Sequence, residues 1–266
     1  MQIMQKAKNS SRLLAILLTF VMVFGLAPTF MVAASSTITV YISFEGYNLG
    51  HGFYIEPTAI TVPAGSTAEV PTRQLLTQRG HTFSGDSPSG FFLDNISGLN
   101  RGYINPPEYI SKRITLANHV EEGGYLGAFM FSQYSGWAIT VNHFLINLGA
   151  DAWQLNDGDV IRWQFSVYGL GADLGVLDGF GGEPLYEHAD KTELIRALFL
   201  PGIDETARLA ALDVIINPIA TAAQVENAAS ALLDSADWSA DGYFNGWYVV
   251  HNPNGDLRDR LLRIVD

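Results

Sequence analysis

The chain of 266 residues contains no cysteine. That absence excludes disulfide cross-links, structural zinc held by thiolates and a thiol nucleophile. Positive charge is also scarce. Fifteen Lys and Arg stand against 27 Asp and Glu, a formal charge of −12 at pH 7. Such an acidic surface repels phosphate backbones and anionic lipid, which argues against nucleic acid and against docking on acidic membranes. Histidines fall at 51, 81, 119, 143, 188 and 251, with no spacing that puts two on one helix face. No serine stands in a G-x-S-x-G elbow after a strand. These absences give the expectation of a protein that is not an enzyme, with no catalytic residue to name.

The first 34 residues form a separate segment. Lys6, Lys8 and Arg12 make a basic start, Leu13 to Gly25 is apolar except for Thr19, and Pro28 precedes the small pair Ala33 and Ala34. That is the layout of a secretory signal peptide cleaved near Ala34, and an uncleaved anchor is the alternative because the apolar stretch runs on toward Val32. Pro28 and the small flank favour cleavage. Loss of the segment removes three basic residues and no acidic one, moving the formal charge from −12 to −15. The expectation is an exported protein with no membrane span in its mature part and no sorting signal at its carboxyl end.

From Thr37 to Leu177 the hydrophobic period is two. Ile38, Val40, Ile42 and Phe44 alternate with polar neighbours, as do Trp137, Ile139 and Val141, and again Ile161, Trp163, Phe165 and Val167. Gly- and Pro-rich connectors separate them, and helices are expected at Val70–Arg79 and Pro107–Arg113. After Gly182 the period becomes helical. Asp190-Lys191-Thr192-Glu193 has the spacing of a capping box, Asp204 can cap a second helix that ends at Asn217-Pro218, and Thr221-Ala222-Ala223-Gln224 is a full capping box. Three short helices with Ala-rich faces are expected to pack as a small bundle. The resulting division is a signal peptide over 1–34, an α+β domain over 35–177, a Gly-rich linker over 178–187, a three-helix region over 188–236 and an unassigned tail over 237–266.

One stretch carries a resemblance. Ser135-Gly136-Trp137, Val141-Asn142 and Leu155-Asn156-Asp157-Gly158-Asp159-Val160-Ile161-Arg162-Trp163, in that order, resemble the transcobalamin-like C-terminal domain. That module is widespread in exported proteins of Gram-positive bacteria, and much of its bacterial branch has no assigned function. The resemblance covers about residues 37 to 170 and implies a β-grasp-like α+β fold. In vertebrate vitamin B12 carriers it implies the smaller of two domains that clasp the corrinoid. Residues 210 to 233 are similar to helical spacer repeats of bacterial cell-wall proteins. On the residues themselves, Trp137 reads as a core anchor, Gly136 as making room for it or supplying a dihedral others avoid, and Leu155 as closing the core. Gly158 reads as a positive-φ turn residue, and Asp157, Asp159 and Asn142 as acceptors for turn amides.

Three ligand chemistries remain in view. Asp173, Asp178 and Glu183 lie among glycines in GADLGVLDGFGGE, where hard oxygen ligands can hold calcium, although the spacing is not that of an EF-hand and a linker explains the same composition. For a corrinoid (cobalamin) the candidates are Trp137, Asn142 and His143. The helices after the module are too few for the barrel that completes the vertebrate clasp. Tyr41, Tyr47, Tyr54, Tyr103, Tyr109 and Tyr125 supply aromatic groups suited to protein or sugar contacts. The expectation is an exported, non-enzymatic, cell-surface binding or adhesion protein whose partner is an envelope protein or glycan. A small-molecule binder, corrinoid first, is the alternative. The oligomeric state is not legible.

Overall fold

The computed structural model describes residues 36–116, 124–176 and 183–237, with the backbone of 243–244, 247–249 and 261–262. The expected signal peptide, Asp178 and most of the tail lie outside the described residues. From Ser36 onward the described residues form a mixed α+β unit.

The central sheet is built from β1 (Thr37–Glu45), β2 (Phe53–Pro63), β6 (Gly136–Val141), β7 (Phe144–Leu145) and β8 (Val160–Ser166), in the order β2-β1-β8-β6-β7. β1 and β8 are parallel, and every other neighbouring pair is antiparallel. A second sheet holds β3 (Phe83–Ser87), β4 (Gly90–Ile96) and β5 (Leu126–Gly127) in sequence order. Helix α1 (Glu69–Gln78) follows the β1–β2 hairpin, and the short α2 is Glu108–Ser111. Three helices come last: α3 (Thr192–Ala197), α4 (Glu205–Ile216) and α5 (Ala222–Ser235). Strands β9 (Tyr243–Phe244), β10 (Trp247–Val249) and β11 (Leu261–Leu262) pair separately at the end.

The apolar half of the period-two pattern forms the main core. Val40, Ile42, Phe44, Ile161, Trp163 and Phe165 face Leu75 and Leu76 of α1, all of them 1–2 % exposed or less. Trp163 is the centre of this layer. It stacks on Phe44 at 6.4 Å, and its Nε1 donates to Thr72 Oγ1 at 2.9 Å, which satisfies the indole inside α1.

The polar half does not face water, as alternation alone would predict for a half-buried strand. All seven residues of β8 are buried, including Arg162, Gln164 and Ser166. On that far face Tyr41 and Val160 join the core shared by α3, α4 and α5, through Leu194, Leu212, Ile215 and Leu232 among others. Glu45 is 0 % exposed and takes both Nε (2.8 Å) and Nη2 (2.6 Å) of Arg162, with Gln164 and Ser43 completing its hydrogen bonds. A buried ion pair is tolerated only where the remaining lone pairs find donors, which is the case here.

The capping chemistry read from the sequence is largely present. Asp204 accepts from Thr206 N and Ala207 N, and Thr221 with Gln224 makes a reciprocal box. The first helix differs. Lys191 stands at the cap position of α3, while Asp190 Oδ1 accepts from Thr192 N at 2.9 Å. Lys191 is turned inward instead, and its Nζ donates to the carbonyls of Ile215 (2.9 Å) and Asn217 (2.5 Å) at the end of α4.

Arg162→Met leaves Glu45 buried without its cation, and the expected loss is about 3–5 kcal/mol by urea unfolding. Replacing Glu45 as well, in Glu45→Met/Arg162→Met, is expected to recover much of that loss. Additive losses in the two-residue cycle would refute a coupled pair.

Candidate functional site

The feature with the look of a binding site is an apolar cleft of about 290 Å³ between the β6 edge, β4 and the segment after β7. That volume sits near the lower end, roughly 300 Å³, of small-molecule pockets. Its lining carries no charged side chain, and Phe91, Ile139 and Trp163 are among its walls. Around its mouth stand Phe129 (74 % exposed), Leu148 (49 %), Phe92 (48 %) and Tyr134 (44 %). Large apolar side chains this exposed and this close together mark interaction surfaces more often than accidents of folding.

The cleft is made by the Ser135-Gly136-Trp137 stretch and the loop before it. Ser135, 2 % exposed, accepts at Oγ from Phe131 N (3.1 Å) and Ser132 N (3.3 Å), closing a tight loop. Ser132 Oγ donates to Val167 O at 2.7 Å and fixes that loop on the end of β8. Trp137 lines the cleft, donates from Nε1 to Leu126 O at 3.0 Å, and meets Phe165 edge-on at 5.2 Å. Neither reason offered for Gly136 holds. Its φ is not positive, and an added Cβ would meet Ala128 at an ordinary 3.7 Å. Nothing in the packing explains a glycine there.

Phe129 is the unusual residue. It has φ 64°, a left-handed conformation that a bulky side chain rarely adopts, and its amide donates to Ser135 O at 2.7 Å. Such a conformation persists only where the surroundings over-determine it, here in the closed loop that Ser135 O and Oγ pin.

The other residues of the Ser135 to Trp163 motif serve the fold. Asn142 and His143 both have positive φ (47° and 65°) and form the two-residue turn between β6 and β7. The Asn142 amide donates to Asp159 Oδ1 (2.7 Å), while its oxygen accepts from Val160 N (3.0 Å) and from Arg196 of α3 (3.2 Å). Arg196 also donates to Gly158 O at 2.6 Å, so the two turns are the pad on which α3 docks. Gly158 has the expected positive φ (79°), Asp159 accepts from Asn156 N, and Asp157 accepts from Thr39 N. The three corrinoid candidates are therefore not brought together. Trp137 lines the cleft, whereas Asn142 and His143 sit in a turn beside the helices, His143 Nδ1 lying 4.0 Å from Asp190 Oδ1.

Nor do the calcium candidates form a cluster among the described residues, where no group of three His, Asp or Glu suited to a metal is present. Asp173 is 0 % exposed, and Ser166 Oγ, Val167 N, Tyr168 N and Asn48 Nδ2 all donate to its carboxylate. It is an internal acceptor that ties the 3-10 turn Gly169–Leu174 to β8. Glu183 is exposed, and Asp178 lies outside the described residues.

The tyrosines also divide differently from the sequence expectation. Tyr41 and Tyr47 are buried, Tyr54 and Tyr109 pack against the core, and Tyr103 is the well-exposed one at 61 %. The aromatic surface is instead Phe92, Phe129 and Tyr134. The adjacent pair Phe91-Phe92 in a strand was a legible signal, since successive side chains take opposite faces.

Burial perturbs several groups outside the cleft. It raises the Asp173 carboxyl to about 6 despite its donors, and it lowers His188 well below its ordinary value. Burial, with Arg162 alongside, lowers Lys191 to about 6, against a smaller opposing pull from Glu45. None of these groups lines the cleft.

No protein-family model matches the chain, and no curated protein matches it.

A lysine with a depressed folded pKa binds fewer protons in the native state than in the unfolded chain between about pH 6 and 10.5. Stability therefore rises with pH across that window, by at most about 1.4 kcal/mol per unit. Urea unfolding at pH 7 and 9 is expected to show a gain of about 1–3 kcal/mol that Lys191→Met abolishes; an unchanged gain in the variant would refute a neutral Lys191. At the cleft, Phe129→Gly is expected to be more stable than Phe129→Ala by about 1 kcal/mol, because only glycine takes this φ freely. Equal stabilities would remove backbone strain from the site.

Proposed function

We propose that this is an exported, non-enzymatic binding protein of the cell surface that captures an apolar segment of a partner protein in the aromatic cleft beside β6. The cleft carries the reading. It is apolar, rimmed by exposed rings and bordered by a strained Phe129, and it lies on the strand that opens with Ser135-Gly136-Trp137. An envelope protein fits such a lining better than a glycan, whose hydroxyl groups need more polar partners than Ser135, Asn147 and Ser166 supply. A role outside catalysis is supported by the placement of three titratable groups that burial perturbs. Asp173 ties the 3-10 turn to β8, His188 Nδ1 bonds to Leu174 O of the same turn, and Lys191 bonds to the end of α4, all away from the cleft.

The transcobalamin-like, β-grasp assignment belongs to the same proposal. It is supported by the strand order, in which the first and last strands of the sheet lie parallel at its centre, with the remaining strands outside them. A helix also follows the first hairpin. Export rests on the basic, apolar and small-residue pattern of residues 1–34.

Corrinoid binding is the alternative, and two observations weigh against it. A cleft of about 290 Å³ is small for so large a ligand, and His143 does not line it.

The test is titration with the apolar dye 1-anilinonaphthalene-8-sulfonate, with a parallel co-elution experiment using cobalamin. Dye binding that falls at least about tenfold in Phe129→Ala/Tyr134→Ala, an effect of about 1.4 kcal/mol, is the expected result. Dye binding indifferent to those substitutions would sink the cleft. Co-elution of cobalamin would install the alternative.

A further inference from the structure

The backbone along the cleft has a property that its side chains do not reveal. In the β6–β8 ladder Asn142 N donates to Val160 O at 2.9 Å, and the register runs without a shift from Val141↔Ile161 to Gly136↔Ser166. In an antiparallel ladder bonded and non-bonded pairs alternate, so residues 140, 138 and 136 bond to β8. The amides and carbonyls of Ser135, Trp137, Ile139 and Val141 then point to the other edge. Partners there are partial. Val141 pairs with Phe144 in the turn, Ile139 O accepts from Ile146 N at 3.2 Å, and Ser135 O accepts from Phe129 N at 2.7 Å. β7 ends at Leu145, and the chain then leaves the sheet toward β4, where Ala150 N donates to Phe91 O at 2.9 Å. Trp137 N–H, Trp137 C=O and Ile139 N–H are left on an open edge without a protein partner among the described residues, and both residues line the cleft.

From this we infer that the edge of β6 at Trp137–Ile139 is a strand-addition site, which binds an extended segment of a partner protein in line with β7. The inference rests on the cleft reading above and names the form of its ligand. A small apolar molecule would cover Phe92, Phe129 and Tyr134 but leave the donor, acceptor and second donor of the edge unpaired. An extended chain supplies matching groups at strand spacing, and its alternate side chains enter the cleft. Its flanks are cationic. The chain carries a formal charge of −12, and two exposed carboxylates adjoin the lining: Asp94 follows Leu93, and Asp151 Oδ1 accepts from Phe91 N at 2.7 Å.

The probe is the peptide acetyl-Lys-Val-Thr-Val-Thr-Val-Lys-amide, with two variants N-methylated on all valines or on all threonines. In a strand the valine amides all face one way and the threonine amides the other, so only one methylation pattern blocks the edge. Three results are expected together. The unmethylated peptide binds, exchange of the Trp137 and Ile139 amides slows at least about tenfold while Ala138 is unchanged, and one methylated variant loses about tenfold or more in affinity. Equal affinity of both methylated variants, with binding still lost in Phe129→Ala/Tyr134→Ala, would overturn strand addition and leave the cleft intact. No binding at millimolar peptide would also overturn it, and dye titration then judges the cleft separately. Slow exchange at Trp137 that depends on protein concentration without peptide would make a second copy the occupant and overturn the partner.

Discussion

Glu45 of β1 and Arg162 of β8 meet diagonally across the parallel pair at the centre of the sheet, and both are almost wholly removed from water. A bidentate pair in that position forces the rest of the architecture. Exposed, it would contribute little. Buried, it needs every remaining lone pair met and a lid that excludes solvent. Gln164 and Ser43 meet the lone pairs, and Tyr47 joins them through Gln164. The three C-terminal helices are the lid. They are held by Arg196 on the two turns and by Lys191, whose Nζ reaches the last carbonyls of α4. Cations favour a helix C-terminus, while burial disfavours the charge, and Lys191 is caught between those two effects.

Covering one face with helices and the other with α1 and the second sheet leaves the sheet open at its sides. At β2 the edge is a long strand. At β6 it is interrupted, because β7 is only two residues long and the chain then departs to pair with β4. An uncovered edge invites pairing with other chains, and proteins usually blunt it with charge, proline or a bulge. Here it is bordered by Phe92, Phe129, Tyr134 and Leu148. The border is rigid where it needs to be: Ser132 and Ser135 pin the loop, and Trp137 is fixed by Leu126 O. The cleft and the seat of the helices thus share one stretch of sequence. Its first part, Ser135 to Ile139, shapes the cleft, and its second part, Asn142 to Asp159, receives the helices.

Much of this was legible beforehand. Apolar residues at period two marked β1, β6 and β8, and Asp204 and Thr221 marked helix starts, because these signals depend on neighbours within a few residues. Gly158 was legible for the same reason. The roles of Tyr41, Arg162 and Asp173 were not. Tyr41 and Asp173 had contact or ligand roles in the sequence and Arg162 had none, and each proved to be internal. Phe129 left no local signal for its left-handed backbone, which is imposed by the closed loop between Ala128 and Ser135.

The sequence by itself determined an acidic, cysteine-free chain of strands followed by capped helices, since composition, period and cap chemistry are local properties. Only the tertiary structure decided that the polar face of β8 would be buried, that Asn142 and His143 would part from Trp137, and that an aromatic cleft would open beside a strand edge only partly paired among the described residues. Those outcomes depend on which elements meet across more than a hundred residues, as Glu45 meets Arg162, and no local pattern encodes that meeting.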